Sequence, residues 1–351
     1  MSIPDDDDAA CPLPYSDYDR VVLGHGSGGR LSRDLLEQLL LPALGLAAHD
    51  PLEDQALLAP IVGRPALTTD AFVVRPLFFP GGDIGRLSVF GTVNDLAVGG
   101  AVPRDLALSF ILEEGLPFET LLRVARSVAR ACAEARVRLV TGDTKVVERG
   151  KAEGLYITTS GVGVVAPGRE LSVARAAAGD VVLVSGTLGD HGIAVMVERE
   201  GIEIEGELLS DAAPLTGLVQ AMLEVEPNIR CLRDPTRGGL ASALNEIARA
   251  SRVGIRLDEL SIPIRPEVEG VCELLGLDPL YVACEGRLVA VVPRASAERV
   301  LGAMRAHELG RNAAVVGEIT SGPSGLVTER TRVGGERVVM MLAGEQLPRI
   351  C

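Results

Sequence analysis

Apolar and polar positions alternate along this chain in blocks, and the period of alternation changes from block to block. Residues 31–41, LSRDLLEQLLL, repeat apolar side chains at helical spacing directly after a glycine-rich turn. PALTTDAFVV (65–74) alternates at period two and predicts a strand interrupted at its aspartate. GRLSVFGTVNDLAVGGA (85–101) predicts a helix of small residues ending in glycines, and DLALSFILEE (105–114) a strand. PFETLLRVARSVARACAEA (117–135) is an amphipathic helix opened by proline, followed by strands at RLVTGD (138–143) and LYITTSGVGVV (155–165).

After a turn at RAAAGD (175–180) the pattern begins again with VVLVSGT. Helices are expected at about 211–224, 238–252 and 295–306, and strands near 253–257, 280–293, 313–319, 325–329 and 337–342. The prediction is an α/β (α+β) protein of two domains, each a mixed sheet with packed helices, covering residues 20–175 and 176–342. Residues 1–19 are acidic and proline-punctuated and are expected to be disordered. Residues 343–351 are expected to form a mobile tail; nine extended residues reach roughly 30 Å.

Composition narrows the chemistry. With 351 residues and 47% hydrophobic content the chain is long enough for two cores. A net charge of −14 argues against a nucleic-acid backbone or an anionic membrane as the main partner, but not against a nucleotide held by backbone N–H groups and Mg²⁺. The six cysteines form no C-x-x-C pair and no apolar signal segment opens the chain, so reduced thiols in the cytoplasm are expected. Among 34 basic residues only Lys145 and Lys151 are lysines, which makes a lysine inside a motif informative.

Five stretches carry candidate chemistry. In LGHGSGGR (23–30), Gly26, Gly28 and Gly29 lie just before a helix and suit an anion-holding loop, although an ordinary turn would use the same glycines. Asp70, Asp95 and Asp143 are oxygen donors at element ends, each separately explicable as a cap or turn residue. Asn94 would bond phosphate or backbone, Gly142 flanks Asp143, and Lys145 follows in GDTKVV. Asp234 in LRDPTRGGL would contact a nucleotide or begin a capped helix, and GTLGDHGIAVM (186–196) repeats the strand, glycine turn and helix. Glu285 in YVACEGRL is a carboxylate in an apolar stretch, where burial would favour a general base working near neutral pH. The last residue, Cys351, would be an exposed thiol suited to modification.

LGHGSGGR, TTDAFVV, VNDLAVGGA, GDTKVV, GDHGIAVM, DPTRGGL, CEGR and the terminal LPRIC together resemble the hydrogenase maturation factor HypE family, over residues 20 to 351. The family belongs to the PurM-like (AIR synthetase) superfamily of ATP-using enzymes. The resemblance implies that Cys351 accepts a carbamoyl group from a HypF-type carbamoyltransferase and that the group is dehydrated with ATP to a thiocyanate. The cyanide would then pass to iron on a HypC–HypD complex, for [NiFe]-hydrogenase. It further implies Lys145 and Glu285 as catalytic partners of Cys351, with Asp70, Asp95 and Asp143 holding Mg²⁺. Gly26, Gly28, Gly29, Asn94, Gly142 and Asp234 would contact ATP in a homodimer joined through the N-terminal sheets. Ser27 and Cys284 depart from the family pattern. Other enzymes of the superfamily acting on small molecules, or a non-catalytic maturation scaffold, remain the alternatives.

Overall fold

The computed structural model describes residues 18–46, 53–344, 347, 349 and 350. The acidic leader through residue 17, with Cys11, and the thiol-bearing Cys351 lie outside the described residues. After a 3-10 turn at Leu23–Gly26 come α1 (Arg30–Leu35), a π-helical segment (Leu36–Leu40) and α2 (Leu41–Ala43). The first unit continues through β1 (Arg64–Phe72), the small hairpin β2 (Phe78–Phe79) and β3 (Gly82–Asp83), and α3 (Ile84–Val98). Next come β4 (Ala101–Glu113), α4 (Phe118–Ala135), β5 (Arg138–Val147) and β6 (Leu155–Val165).

Four of these strands form one sheet in the order β1-β6-β4-β5, with β4 and β5 parallel and the other pairs antiparallel. The burial of β6 alternates residue by residue, because one face packs on α3 and α4 while the other stays half-exposed. α3 is buried on nearly every side. Its N-terminus is capped by Asp83, whose Oδ1 accepts from Gly85 N and Arg86 N at 2.8 and 3.0 Å. Its C-terminal Ala97 and Val98 join the apolar cluster of the second unit. Beyond β1 the expected interruption at Asp70 is absent, since the strand pairs continuously with β6 through Asp70 opposite Thr159.

The second unit holds β7 (Val181–Val184), α5 (Asp190–Glu200), α6 (Thr216–Val225), β8 (Cys231–Arg233), α7 (Gly239–Ser251) and β9 (Gly254–Asp258). It ends with α8 (Pro266–Leu275), β10 (Val289–Val292), α9 (Ala297–Ala306), β11 (Ala314–Thr320), β12 (Val327–Arg330) and β13 (Glu336–Val338). Its seven-stranded sheet runs β13-β12-β9-β11-β7-β10-β8. Alternate residues of β7 point to opposite layers: Val181 and Leu183 pack with α6 and α9, Val182 and Val184 with α7. Both units are therefore mixed α/β layers, as the periodicity predicts.

Three expected elements are shorter than their apolar runs. The strand expected at 280–293 is confined to β10, because Pro279–Tyr281 form a 3-10 turn and Gly286 passes close to another backbone. A Cβ on Gly286 would lie 1.7 Å from the Asp211 carbonyl oxygen. The helix expected from 211 begins only at Thr216, after an extended segment containing Pro214. Pairing of the last strand stops at Val338. Among the described residues no helix is long and apolar enough to cross a membrane.

Candidate active site

Four of the expected site carboxylates converge. Asp70 comes from β1, Asp95 from the last turn of α3, Asp234 from the loop after β8, and Glu285 from the loop before β10. They line one cavity of about 200 Å³ with Phe72, Arg233, Thr236 and Arg237. Gly91 makes room for it: a Cβ there would meet the Phe72 ring at 2.8 Å and come to 4.0 Å from Glu285 Oε2. Thr92 Oγ1 donates to Asp70 Oδ2 at 3.0 Å, and Thr68 Oγ1 donates to Asp95 Oδ2 at 2.9 Å. Burial, and then the neighbouring Asp95 charge, raise the Asp70 pKa above the usual carboxylate range. The same two causes push Asp234 up to about 7.

Glu285 is only 3% exposed. Its backbone N–H donates to Asp211 Oδ1 at 3.0 Å, and Asp211 lies 3.5 Å from Arg287 Nε. Arg287 also reaches Asp190 at 3.5 Å, so one guanidinium sits between two buried carboxylates on either side of the Glu285 loop. A second cavity of about 450 Å³ shares Asp95, Arg233 and Asp234 with the first. Leu67, Leu96, Leu171 and Leu232 also line it, so polar and apolar side chains share its wall.

The remaining expected residues stand at the other edge of the first sheet. Gly142, Asp143 and Lys145 are exposed on β5. Register runs from Asp70 to Thr159, Leu108 and Gly142, three strands across, which is about 14 Å at ordinary strand spacing. The expected trio of metal carboxylates is thus divided within one chain, and so are Lys145 and Glu285. Among the described residues no group of three or more acidic, histidine or cysteine side chains is placed to hold a metal ion. Gly142 serves a close approach instead, since a Cβ would fall 2.3 Å from Leu108 O. Gly26 packs against Val146 of β5, while Gly28, at φ +78°, and Gly29 face open space beside it.

Asn94 is also corrected as a nucleotide ligand. It is 1% exposed, and its Nδ2 donates to Ala213 O and Glu285 O, both at 3.0 Å. Its Oδ1 accepts from Leu215 N at 2.8 Å, so its amide ties α3 to two backbone segments of the second unit.

The described end of the chain is packed into the core of the first unit. Ile350 is buried in the same apolar cluster as Phe72, Ala212 and Ala283. Its carbonyl oxygen accepts from His191 Nε2 at 3.0 Å, and His191 Nδ1 pairs with Ser210 Oγ at 2.8 Å. Burial lowers the His191 pKa to about 4, so near neutral pH the ring is uncharged. A neutral ring that donates through Nε2 must accept the Ser210 hydroxyl at Nδ1.

Residues 52–165 match the family of AIR synthase related proteins, N-terminal domain, and residues 177–329 match the corresponding C-terminal domain. The carbamoyl dehydratase HypE of Cupriavidus necator is 54% identical over 95% of this chain and 95% of its own. A crystal structure of hydrogenase maturation protein HypE in complex with ATP superposes with a TM-score of 0.89 at 44% identity, covering 94% of this chain and 99% of that one. A HypE–HypF complex matches with a TM-score of 0.77 at 47% identity, over 79% of this chain and 90% of that one. The chain belongs to the HypE family of carbamoyl dehydratases.

Two HypE departures are accommodated locally. Ser27 Oγ donates to Gly24 O at 2.8 Å and tightens the glycine-rich loop. Cys284 is fully buried, where its sulfur accepts from Gly189 N at 3.2 Å. Thr236, Arg237, His191 and Arg287 lie inside DPTRGGL, GDHGIAVM and CEGR without an expected role, and Asp211 lies in none of these motifs. DPTRGGL and GDHGIAVM hold signals for the first three. The Asp211–Arg287 link joins loops far apart in sequence and leaves no local pattern.

Proposed function

We propose that this HypE chain uses ATP to dehydrate an S-carbamoyl group on Cys351 to a thiocyanate, the source of a cyanide ligand for hydrogenase iron. The observation that carries this reading is the burial of Ile350, the residue before Cys351, in the apolar cluster that includes Phe72, a wall of the cavity that holds Glu285 and three aspartates. A buried carboxylate, a crowded acidic wall and a captured tail form a set that a scaffold would not need. The wider cavity, lined by both polar and apolar side chains, would take the adenosine of ATP.

The chemistry balances as follows. The carbamoyl oxygen attacks the γ-phosphorus of ATP, releasing ADP and leaving a phosphorylated imidate on sulfur. Nitrogen loses two protons in all: one ends on the phosphate and Glu285 accepts the other as the C–O bond breaks, inorganic phosphate departs and S–C≡N remains. Asp70 and Asp95, with Asp234 beside them, suit Mg²⁺, which takes one or two carboxylates together with phosphate oxygens and water. When bound, Mg²⁺ would neutralise phosphate charge and orient the γ-phosphoryl group. Burial around Glu285 keeps water from the activated carbamate.

Lys145, Asp143 and the glycine-rich loop serve the cavity of a second copy in this reading. A homodimer joined through the first sheets would bring the β5 edge of one chain to the β1 edge of the other. Leu67, Val102 and Val62, which are 75%, 45% and 93% exposed, supply apolar surface near that sheet for such an interface. The acceptor tail would leave its seat to receive the carbamoyl group from a HypF-type transferase and to deliver cyanide to a HypC–HypD complex. The four described cysteines that are free and buried suit the reducing cytoplasm.

Intact mass with mapping of the C-terminal peptide tests the proposal after incubation with an active carbamoyltransferase, carbamoyl phosphate and Mg²⁺–ATP. Gain of one carbamoyl group and then loss of one water, confined to the Cys351 peptide and absent from Cys351→Ala, is expected. An unmodified tail, with the transferase active on a proven acceptor, would return the chain to the superfamily's small-molecule chemistry.

A further inference from the structure

The end of the chain is held at three points, two of them on its main chain. Arg199 of α5 donates from Nη2 to the Arg349 carbonyl at 2.6 Å and from Nε to the Arg75 carbonyl at 2.8 Å. One guanidinium thereby joins the exit of β1 to the tail, and Arg75 N adds a bond to Arg349 O at 3.2 Å. Glu153, in the turn before β6, pairs with Arg349 Nε at 3.0 Å. His191 supplies the third point through Ile350 O. Arg349 has φ +55°, a left-handed backbone that a non-glycine residue adopts where its neighbours fix it.

We propose that Glu153, His191 and Arg199 are tail-positioning residues, a clamp that sets how much of the time the chain end is presented to Glu285. The proposal rests on the dehydratase reading above and adds what governs the docked state. Two of the three points grip peptide carbonyls and the third grips Arg349, so the clamp is indifferent to what Cys351 carries. Free thiol, carbamate and thiocyanate forms are all retained by it, and discrimination among them falls to the carboxylate cavity. The clamp is also graded. The Glu153–Arg349 pair lies at the partly exposed rim, whereas His191 is wholly buried, so release proceeds from the outside inward.

The test is a time course of Cys351 alkylation by a bulky maleimide, read by peptide mapping on the full chain, alongside single-turnover thiocyanate formation. Arg199→Ala is expected to speed alkylation by about tenfold, the size expected for one charge-assisted hydrogen bond, and Glu153→Ala, at the exposed rim, by about two- to fivefold. Both variants should accept the carbamoyl group normally, lower the dehydration rate by a similar factor, and leave the KM for ATP unchanged. The exchanged pair Glu153→Arg with Arg349→Glu should recover much of the protection, which a general loss of structure would not allow. Unchanged alkylation in both single variants overturns the clamp. So does faster alkylation with undiminished dehydration. A parent chain that is carbamoylated but forms no thiocyanate overturns the reaction assignment instead, and its alkylation profile still decides the clamp.

Discussion

The two edges of the four-stranded sheet carry the same kinds of residue and treat them in opposite ways. At the β1 edge, Asp70, Asp95, Asp234 and Glu285 are covered by α3 and the second unit, and burial drives the Asp70 and Asp234 pKa values up. At the β5 edge, Asp143 and Lys145 stand exposed beside an open glycine-rich loop. A crowded, half-buried acidic wall suits proton transfer and phosphoryl chemistry. A bare edge with a cation, a carboxylate and backbone N–H groups suits a surface that is completed from elsewhere. In the proposed reading, the contrast separates the part of the site that one chain finishes alone from the part it offers to a second copy.

The largest effect should come from the covered edge. Glu285→Gln is expected to let carbamoyl accumulate on the tail while thiocyanate formation falls by at least about 100-fold. Mass analysis of the C-terminal peptide reads both species, and formation at the parent rate would remove Glu285 as the base. Next, mixing tests the open edge. Asp143→Ala and Asp234→Ala should each be strongly impaired alone. After dissociation and random reassociation the mixture should regain about a quarter of parental activity, because half the dimers are mixed and each contains one intact site. No recovery would mean that each chain uses only its own β5 edge, and the comparison would fail.

Smaller effects sharpen the same picture. Asn94→Ala removes three hydrogen bonds between α3 and the second unit and should destabilise the chain by about 3 kcal/mol, seen as a lower denaturation midpoint. Nucleotide affinity measured well below that midpoint should be retained; a selective loss of affinity would restore Asn94 as a ligand. Asp234 gives a pH signature. Its folded pKa of about 7 lies above its ordinary value of 3.8, so the folded chain holds a proton that the unfolded chain lacks between those values. Its contribution to stability is therefore full below about pH 4 and lost as the pH rises to about 7. Asp234→Asn should raise the melting temperature relative to the parent above pH 7 and converge with it in acid. A constant difference across that range would show that Asp234 does not titrate in this way.

Much of this was legible in the residues themselves. Period-two and helical blocks mark both α/β units, and the aspartates at element ends mark three walls of the cavity. What the motifs could not reveal was the edge to which each belongs. GDTK reads like a companion of TTDAFVV, yet the order β1-β6-β4-β5 sends them to opposite sides, and strand order is settled by long-range packing. Glu285 looked like a strand residue because an apolar run surrounds it. The run breaks where Gly286 meets Asp211, a contact across 75 positions that no local pattern encodes. The seat of the tail was hidden for a related reason, since Arg199 and His191 bind main-chain carbonyls that every residue possesses. Asn94 carried both of its possible roles in one side chain, and only its three backbone partners distinguish them.

The two strands between Asp70 and Gly142 have a consequence for the cell as well as for the site. If the two edges meet only between copies, a lone chain is silent, and output follows the square of abundance where monomers predominate. Halving expression would then cut the number of complete sites by about fourfold. Hydrogenase maturation would gain a threshold from nothing more than the order of strands in a sheet.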